Sequence, residues 1–330
     1  MICLHKGVDP DKLISVSVNI GAAPNAGGSI HHLAVFDEYG GRIGQYSGDA
    51  NRHIDDNETK TFTINPTQNG GKQARPDYLL MVTQESDALC VSAIVAGGGS
   101  QQRIWTGDMA YTCGAQWYHS KKSFGNSNAP VRRAWLDADH SNGILAKGLS
   151  LHMQSFATDS GLLKQYRKNQ KRLCQNTRRM TFHPEIVPDS LVARFDPPLE
   201  YNSQVGMKSS NRGIDRRTRA YPDGTFKKKR ANEVMPRNVT ASSVKGLRNN
   251  FPDLLIISSH DGHSARELCN HPMSLGPDSV DIPEGLFCNM ETGKVWPLWE
   301  GSSSETFFDL DSREMRYLFN ATMGYKSYEE

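Results

Sequence analysis

The stretch LISVSVNI, residues 13–20, decides the fold class of this chain. It places Ile14, Val16, Val18 and Ile20 at alternate positions with polar residues between them, the period of a strand with one buried face. Similar runs follow at roughly ten-residue spacing, which is typical of an antiparallel β-sandwich. The further predicted strands are HLAVF (32–36), RIGQYS (42–47), TFTIN (61–65), YLLMVTQ (78–84), ALCVSAIVAG (88–97), RIWTG (103–107), VRRAWLDA (131–138) and KGLSLHMQSF (147–156).

The pattern changes at Asp159-Ser160. LLKQYRKNQKRLCQN (162–176) has helical apolar spacing and a face rich in Lys and Arg. Near the end of the chain, DLLIIS (253–258) predicts a buried strand and SARELCN (264–270) a short capped helix. FFDLDSREMRYLF (307–319) predicts a final strand or helix, with DSREMRYLF favouring a helix capped at Asp311 or Ser312.

The sequence therefore predicts a mainly β protein of four regions. Residues 11–156 form an antiparallel β-sandwich, and 157–202 form a basic amphipathic helix and connection. Residues 203–250 lack apolar periodicity and read as a basic flexible tether. Residues 251–330 form a small α+β portion that packs back on the sandwich.

Cysteine and sequon content indicate the compartment. Six widely spread cysteines without a CxxC pair favour disulfides in an oxidising compartment over zinc or redox motifs. Asn57, Asn238 and Asn320 each begin an N-glycosylation sequon. The start MICLHKGVDPDKL has no apolar core of a signal peptide. We expect an extracellular protein whose leader lies upstream; with an authentic N-terminus the protein would be cytoplasmic. No apolar run reaches the ~20 residues of a membrane span.

A basic block lies within the tether. Residues 207–231 hold nine Lys or Arg and two Asp, so the block carries +7 and the rest of the chain −5. Four interpretations compete: a solvated tether, cleavage after Lys229-Arg230 by a processing protease, binding of anionic polymers, and nuclear localisation. Few aromatic residues interleave the charges, so we expect no specific nucleic-acid recognition.

The stretch WLDADHSNG (135–143) has two readings besides a turn after a strand. Asp137, Asp139 and Asn142 resemble a calcium loop, although the Asn-Gly pair arrives one residue late. Calcium is the one cofactor that the sequence suggests. The turn reading is an Asn-Gly hairpin joining the two flanking strands. The other reading is a catalytic pair of acids, Asp137 and Asp139, and the sequence favours it least.

Two further groups are candidate sites. His260, Asp261 and His263 follow a buried strand and are the catalytic residues of an alternative hydrolase reading, which also uses Asp137, Asp139 and His140. The competing interpretation is a polar connection. Four residues of the sandwich, which core packing would also explain, are candidates for stacking on sugar rings: Trp105, Trp117, Tyr118 and His119.

Five long motifs lie along the chain: IWTGDMAYTCGAQWYHS (104–120), RRAWLDADHSNG (132–143), HSARELCNHPMSLGPDS (263–279), EGLFCNMETGKVWPL (284–298) and FFDLDSREMR (307–316). They resemble a family of secreted, functionally uncharacterised proteins of filamentous ascomycete fungi, over about residues 15–317. The resemblance implies export and a fungal source, and it implies no chemistry.

The chain departs from that family in its cysteines. Family members carry one cysteine after WPL and another before FDLD, where this chain has Trp299 and Phe307. The joint change implies a lost disulfide, and we expect apolar contact between the two residues instead. Among the remaining cysteines, closeness in sequence favours the pairs Cys269–Cys288 and Cys90–Cys113.

The expected function is extracellular binding of a surface glycan or a host protein, as an effector-like protein. A hydrolase or metal-dependent enzyme is the alternative. The oligomeric state does not follow from the sequence.

Overall fold

The fold is described from a computed structural model of the 330-residue chain. It describes residues 13–48, 52–69, 75–98, 101–124, 129–157, 160–174, 178–192, 194–195, 201–202, 206–207, 248–299, 306–316 and 326–329.

Two antiparallel sheets form the N-terminal sandwich, so the mainly β prediction is confirmed. The first sheet has the strand order Trp117–Tyr118, Arg133–Leu136, Leu89–Gly98, Ile14–Ile20 and Thr59–Ile64, and Gln101–Thr106 also pairs with Leu89–Gly98. The second sheet has the order Met180–His183, Gly148–His152, Tyr78–Val82, His32–Phe36 and Arg42–Ser47. Gly28–Ser29 and His53–Ile54 form a small additional ribbon.

The core lies between the two sheets. The alternating apolar face that LISVSVNI predicted is fully buried there, with Val16 and Val18 both 0% exposed. These residues pack in one cluster with Leu33, Val35 and Leu79 of the second sheet. Burial of this continuous apolar area is the main stabilising term of the sandwich.

The second sheet is buried on both faces. Its outer face carries Phe36 and Leu80, and the segment after the strand Met180–His183 covers them with Ile186, Val192 and Phe195. The backbone N–H of Phe195 also donates to the Tyr78 hydroxyl, 2.7 Å away. The strand Met180–His183 lies beyond the predicted boundary at residue 156, because the chain returns to the sandwich after its helix.

The turn reading of WLDADHSNG needs correction in one respect. The strand Arg133–Leu136 belongs to the first sheet, and the next strand, Gly148–His152, belongs to the second. The stretch is therefore a crossover between sheets and not a hairpin. It contains a short 3₁₀ helix over Ser141–Gly143, with His140 and Asn142 at positive φ.

The predicted basic helix is present as two pieces, an α-helix over Ser160–Lys168 and a 3₁₀ turn over Gln170–Leu173. Buried Leu162 and Leu173 hold it against the sandwich. A disulfide from Cys113 to Cys174 joins its end to the end of the helix Gly107–Thr112. That bond spans 61 residues of sequence and contributes about 4 kcal/mol by restricting the unfolded chain.

The predicted pair Cys90–Cys113 is therefore wrong. Cys90 lies within a central strand opposite Trp135, is 0% exposed and has a free thiol. The predicted pair Cys269–Cys288 is confirmed, and its 19-residue span contributes about 3 kcal/mol. Both bonds indicate an oxidising compartment.

The C-terminal portion is a five-stranded mixed sheet with a helix and a hairpin. The strand order is Lys294–Pro297, Leu286–Asn289, Asp278–Asp281, Leu254–Ser258 and Lys326–Glu329, with Leu254–Ser258 parallel to both of its neighbours. The helix Ala265–Asn270 begins at Ser264, whose hydroxyl accepts from the Glu267 N–H as predicted. In the described part of the chain, no helix has the length and apolarity needed to cross a bilayer.

The predicted C-terminal helix is wrong. Phe307–Asp309 and Glu314–Arg316 form an antiparallel hairpin. The Asp309 carboxylate accepts the N–H groups of Asp311 and Ser312, and Arg313 takes a positive φ of 57°. The predicted cap residues Asp311 and Ser312 instead lie in the turn, where both donate to Asp309.

The contact expected between Trp299 and Phe307 is confirmed. Their rings are stacked, with centroids 6.1 Å apart. A separate ribbon pairs Tyr201–Asn202 with Gly206–Met207. Most of the predicted tether, including Lys229 and Arg230, lies outside the described residues, as do the sequons at Asn238 and Asn320.

Candidate functional site

The C-terminal portion meets the first sheet at a cluster of polar and aromatic side chains, here called the histidine junction. It consists of Trp117, His119, Arg132, His263, Glu267 and His271. The sheet places these residues: Trp117 and Tyr118 pair with Ala134 and Arg133, so Trp117, His119 and Arg132 share one face of the sheet.

Backbone pairing continues the sheet into the C-terminal portion. The Trp117 N–H donates to the Met273 carbonyl at 3.1 Å, and the Leu275 N–H donates to the Trp117 carbonyl at 2.9 Å. The Trp135 indole N–H also donates to the Leu275 carbonyl at 2.7 Å. Specific hydrogen bonds therefore join the C-terminal portion to the first sheet.

His119 and His263 stack at the centre of the junction, with ring centroids 4.5 Å apart and an interplanar angle of 17°. His119 Nε2 lies 3.2 Å from the Ser264 backbone nitrogen and 3.3 Å from the Ser264 carbonyl oxygen, so the Ser264 backbone is its hydrogen-bond partner. His263 Nε2 lies 3.2 Å from the Ser120 carbonyl, which only accepts, so this nitrogen carries the proton. The stack therefore joins two neutral imidazoles.

The surroundings keep both rings neutral. Burial lowers the pKa of His263 to about 4 and lowers the pKa of His119 well below its ordinary value. The Ser258 hydroxyl accepts the backbone N–H of His260 at 3.2 Å. It donates its own proton to His263 Nδ1, 2.6 Å away. Both ring nitrogens of His263 therefore have structural partners.

His271 is fixed in one tautomer. Its Nδ1 accepts two donors, the Trp117 indole N–H at 2.8 Å and the Met273 N–H at 3.1 Å. Burial lowers its pKa to about 4, so the ring stays neutral with its proton on Nε2. The Tyr111 ring packs on His271 with centroids 4.7 Å apart.

An ion pair closes the rim of the junction. Arg132 donates to both carboxylate oxygens of Glu267, each at 2.8 Å, and to Asp108 at 3.0 Å. The guanidinium lies 4.2 Å from the centroid of the Tyr111 ring and 5.1 Å from that of Trp117. Sequence reasoning missed Arg132, and it read Glu267 only as the partner in a capping box; their side chains are 135 residues apart in sequence.

The predicted sugar-stacking residues do not form a surface. Trp105, Trp117 and Tyr118 are at most 1% exposed and His119 is 4% exposed, so no ring face is open to a ligand. The prediction is wrong at these four positions, and the core interpretation is confirmed. Trp105 packs in the apolar core between the two sheets. Trp117 and Tyr118 pack in a second apolar cluster that includes residues of the C-terminal portion.

The predicted calcium loop is held by its own hydrogen bonds. The buried Asp137 carboxylate accepts the Ser141 hydroxyl at 2.7 Å, and Asp139 accepts the Ser141 N–H at 2.9 Å. Burial raises the pKa of Asp137, whereas the Ser141 N–H lowers the pKa of Asp139. Among the described residues, no three His, Cys, Asp or Glu side chains are arranged to hold a metal ion. The calcium site at Asp137, Asp139 and Asn142 stays a prediction.

The structure separates the two halves of the hydrolase reading. His263 meets His119 and Ser120 near the Arg132 end of the strand Arg133–Leu136. Asp137 follows the other end of that strand. Five residues of extended chain separate these ends, a distance of about 16 Å. His263 thus lies beside His119, with His260 next to it, and away from Asp137.

Comparison with known proteins adds no identity. No protein-family model and no curated protein matches the sequence. Solved structures that match in part include Delta413-417:GS LOX, at 10% identity and a TM-score of 0.24 over 28% of this chain and 14% of that chain. A LOX complex with arachidonate matches at 10% identity and a TM-score of 0.26, over 48% of this chain and 20% of that one. These alignments cover a small part of the LOX chains and carry no argument about this one.

Proposed function

We propose that this chain is an exported fungal protein that acts outside the cell by binding a surface or host partner and not by turnover. Two disulfides, Cys113–Cys174 and Cys269–Cys288, support export, because such bonds persist in oxidising compartments. The motif resemblance to secreted fungal proteins points to the same location.

The state of the histidine junction is the observation that favours binding. An acid–base residue must reach a reacting group, whereas both nitrogens of His263 are engaged and Nδ1 of His271 accepts two donors. Ser258, the hydroxyl nearest His263, is 1% exposed. The histidines therefore serve to join the C-terminal portion to the sandwich.

Export is tested on the protein as its natural producer makes it. Peptide mapping under non-reducing conditions should find Cys113 linked to Cys174 and Cys269 linked to Cys288. Asn57 lies exposed in a turn and should carry a glycan where the sequon is used. Free thiols at all four cysteines together with unmodified Asn57, Asn238 and Asn320 would contradict the extracellular role.

A double variant at His260 and Asp261 distinguishes a binding protein from an enzyme. Asp261→Asn with His260→Gln removes the two accessible residues of the group His260, Asp261 and His263, and it leaves His263 unchanged. We expect unchanged attachment of the labelled protein to cell surfaces. A loss of the protein's biological effect with attachment intact would favour the enzyme instead.

A further inference from the structure

One face of the C-terminal hairpin carries aromatic and charged side chains together. Directly opposed residues of an antiparallel pair point to the same side. Phe307 is opposite Arg316 and Asp309 is opposite Glu314, so these four side chains share a face. The neighbouring residues Phe308 and Met315 point the other way into a buried cluster. Together with Trp299, the four residues are here called the hairpin face.

The aromatic end of the hairpin face is ordered and open. Trp299 stacks on Phe307 and is still 48% exposed. Its position is set by the backbone, because the Trp299 N–H donates to the Phe308 carbonyl at 3.0 Å. The preceding Leu298 N–H donates to the Gly285 carbonyl at 2.9 Å. A rigid indole with half its surface in water can therefore bind a flat apolar partner at little entropic cost.

The polar end supplies both hydrogen-bond donors and acceptors. Arg316 Nε lies 3.5 Å from Asp309, and Arg316 Nη2 lies 3.7 Å from Glu314. The guanidinium is 44% exposed and the two carboxylates are 19% and 32% exposed, so all three groups retain free donor or acceptor positions. Opposed residues lie about 5 Å apart and successive pairs about 7 Å along the strands, which places these groups beside the rings.

We propose that the hairpin face is a binding site for a neutral glycan. A sugar ring presents an apolar C–H face, which matches Trp299, and a rim of hydroxyls that donate and accept, which matches Arg316 with its two carboxylates. One cation beside two anions gives the face a net charge of −1, which disfavours polyanionic ligands, and Arg316 already lies beside both carboxylates. This proposal rests on the extracellular binding role and names its ligand class.

The test uses the full chain and three neutral oligosaccharides: chitohexaose, laminarihexaose and cellohexaose. Isothermal titration should detect binding of at least one of them. Trp299→Ala should raise the Kd at least tenfold, because it removes the stacking surface. Arg316→Gln should weaken binding several-fold while the aromatic pair remains. Tyr39→Ala is the matched control: Tyr39 is 64% exposed but lies on the sandwich, and its loss should leave the Kd unchanged.

Trp299→Phe guards against a folding artefact, since it keeps an aromatic contact with Phe307 and should bind with intermediate affinity. No binding to any of the three oligosaccharides would overturn the proposal, as would an unchanged Kd in Trp299→Ala. Attachment to cell surfaces that protease treatment abolishes would assign a protein partner and also overturn it. Intact disulfides with surface attachment that survives Trp299→Ala would leave the proposed function standing and remove only the glycan site.

Discussion

His119 of the sandwich and His263 of the C-terminal portion lie face to face, with ring centroids 4.5 Å apart. Ser258 and Ser120 hold His263 in one neutral tautomer, and the Ser264 backbone is the hydrogen-bond partner of His119. A proton on either ring would place a charge in a buried site beside Arg132 and Arg133, which already act to lower both pKa values. The contact between the two units therefore depends on neutral imidazoles.

The first prediction is a loss of stability in acid. His183, His263 and His271 have pKa values of about 4, lowered by burial from 6.5. The unfolded chain takes up protons at these positions as the pH falls below about 6.5, and the folded chain does not until about pH 4. The free energy of unfolding should therefore be highest above pH 6.5 and should fall down to about pH 4.

Buried acids, Asp137 among them, act in the opposite direction. Burial raises the pKa of Asp77 and of Asp281 to about 6, so each adds stability as the pH falls from about 6 to 3.8. The histidines outnumber them, and the net change should remain a loss. Thermal melts between pH 8 and pH 4 measure it. His140→Gln, at a partly exposed ring, should keep the same profile; a Tm that stays constant or rises in acid would contradict the prediction.

The second prediction concerns the ion pair at the rim of the junction. Glu267→Gln leaves one neutral acceptor in place of the carboxylate, so it removes the ion pair with Arg132 and should cost about 1–2 kcal/mol of stability. Asp189→Asn is the control, because Arg42 also contacts Asp189 at 2.8 Å but that carboxylate is 83% exposed. Its loss should cost no more than about 0.5 kcal/mol. Urea unfolding compares the two, and equal costs would show that burial is not the deciding factor.

The third prediction separates the two disulfides. Replacing Cys113 and Cys174 together by Ala should cost about 4 kcal/mol, and replacing Cys269 and Cys288 together should cost about 3 kcal/mol. Cys90→Ala should cost only about 1 kcal/mol, because it removes one buried atom and no covalent bond. The measurement is the free energy of unfolding in urea. A cost for Cys90→Ala as large as for either pair would argue for a different connectivity.

The fourth prediction is that Cys90 does not react in the folded protein. Burial raises its pKa to about 12, and the residue is 0% exposed, so a thiolate is both rare and inaccessible. Iodoacetamide at pH 8 should leave Cys90 unmodified in buffer and modify it in urea. Mass spectrometry reads out the site, and rapid labelling without urea would show that the strand opens.

The fifth prediction concerns Arg248, which is 6% exposed and has no acidic hydrogen-bond partner among the residues that the structure describes. Its guanidinium donates to the carbonyls of Leu268, Cys269 and His271 at the end of the helix Ala265–Asn270. Arg248→Ala should cost about 2–4 kcal/mol, because several carbonyls lose their donor. Arg266→Ala, on the exposed side of the same helix, should be nearly neutral. Similar losses for both variants would refute the capping role.

The sequence predicts the strands well where apolar residues recur at every second position. LISVSVNI and its neighbours alternate cleanly, and the short helix after Ser264 has a cap that depends only on nearby residues. For FFDLDSREMRYLF the helix was favoured over the strand because Asp311-Ser312 suits a helix start and a turn equally, and packing of Phe308 and Met315 decides between them. Local pattern carries no information about that packing.

The candidate sites were harder to predict because they depend on contacts between distant residues. His119 and His263 are 144 positions apart, and no spacing rule connects them. Cys113 pairs with Cys174 and not with the nearer Cys90, because Cys90 is enclosed between strands. The half-exposed stack of Trp299 on Phe307 was expected as a contact, but its open face depends on the hairpin beneath it.

Neither disulfide crosses the basic block at residues 207–231. Cys113 and Cys174 both precede it, and Cys269 and Cys288 both follow it. Proteolysis after Arg230 would therefore produce two polypeptides with no disulfide between them. The two polypeptides would then be held together by non-covalent contacts alone. Dilution or acid would therefore dissociate the C-terminal portion from the sandwich.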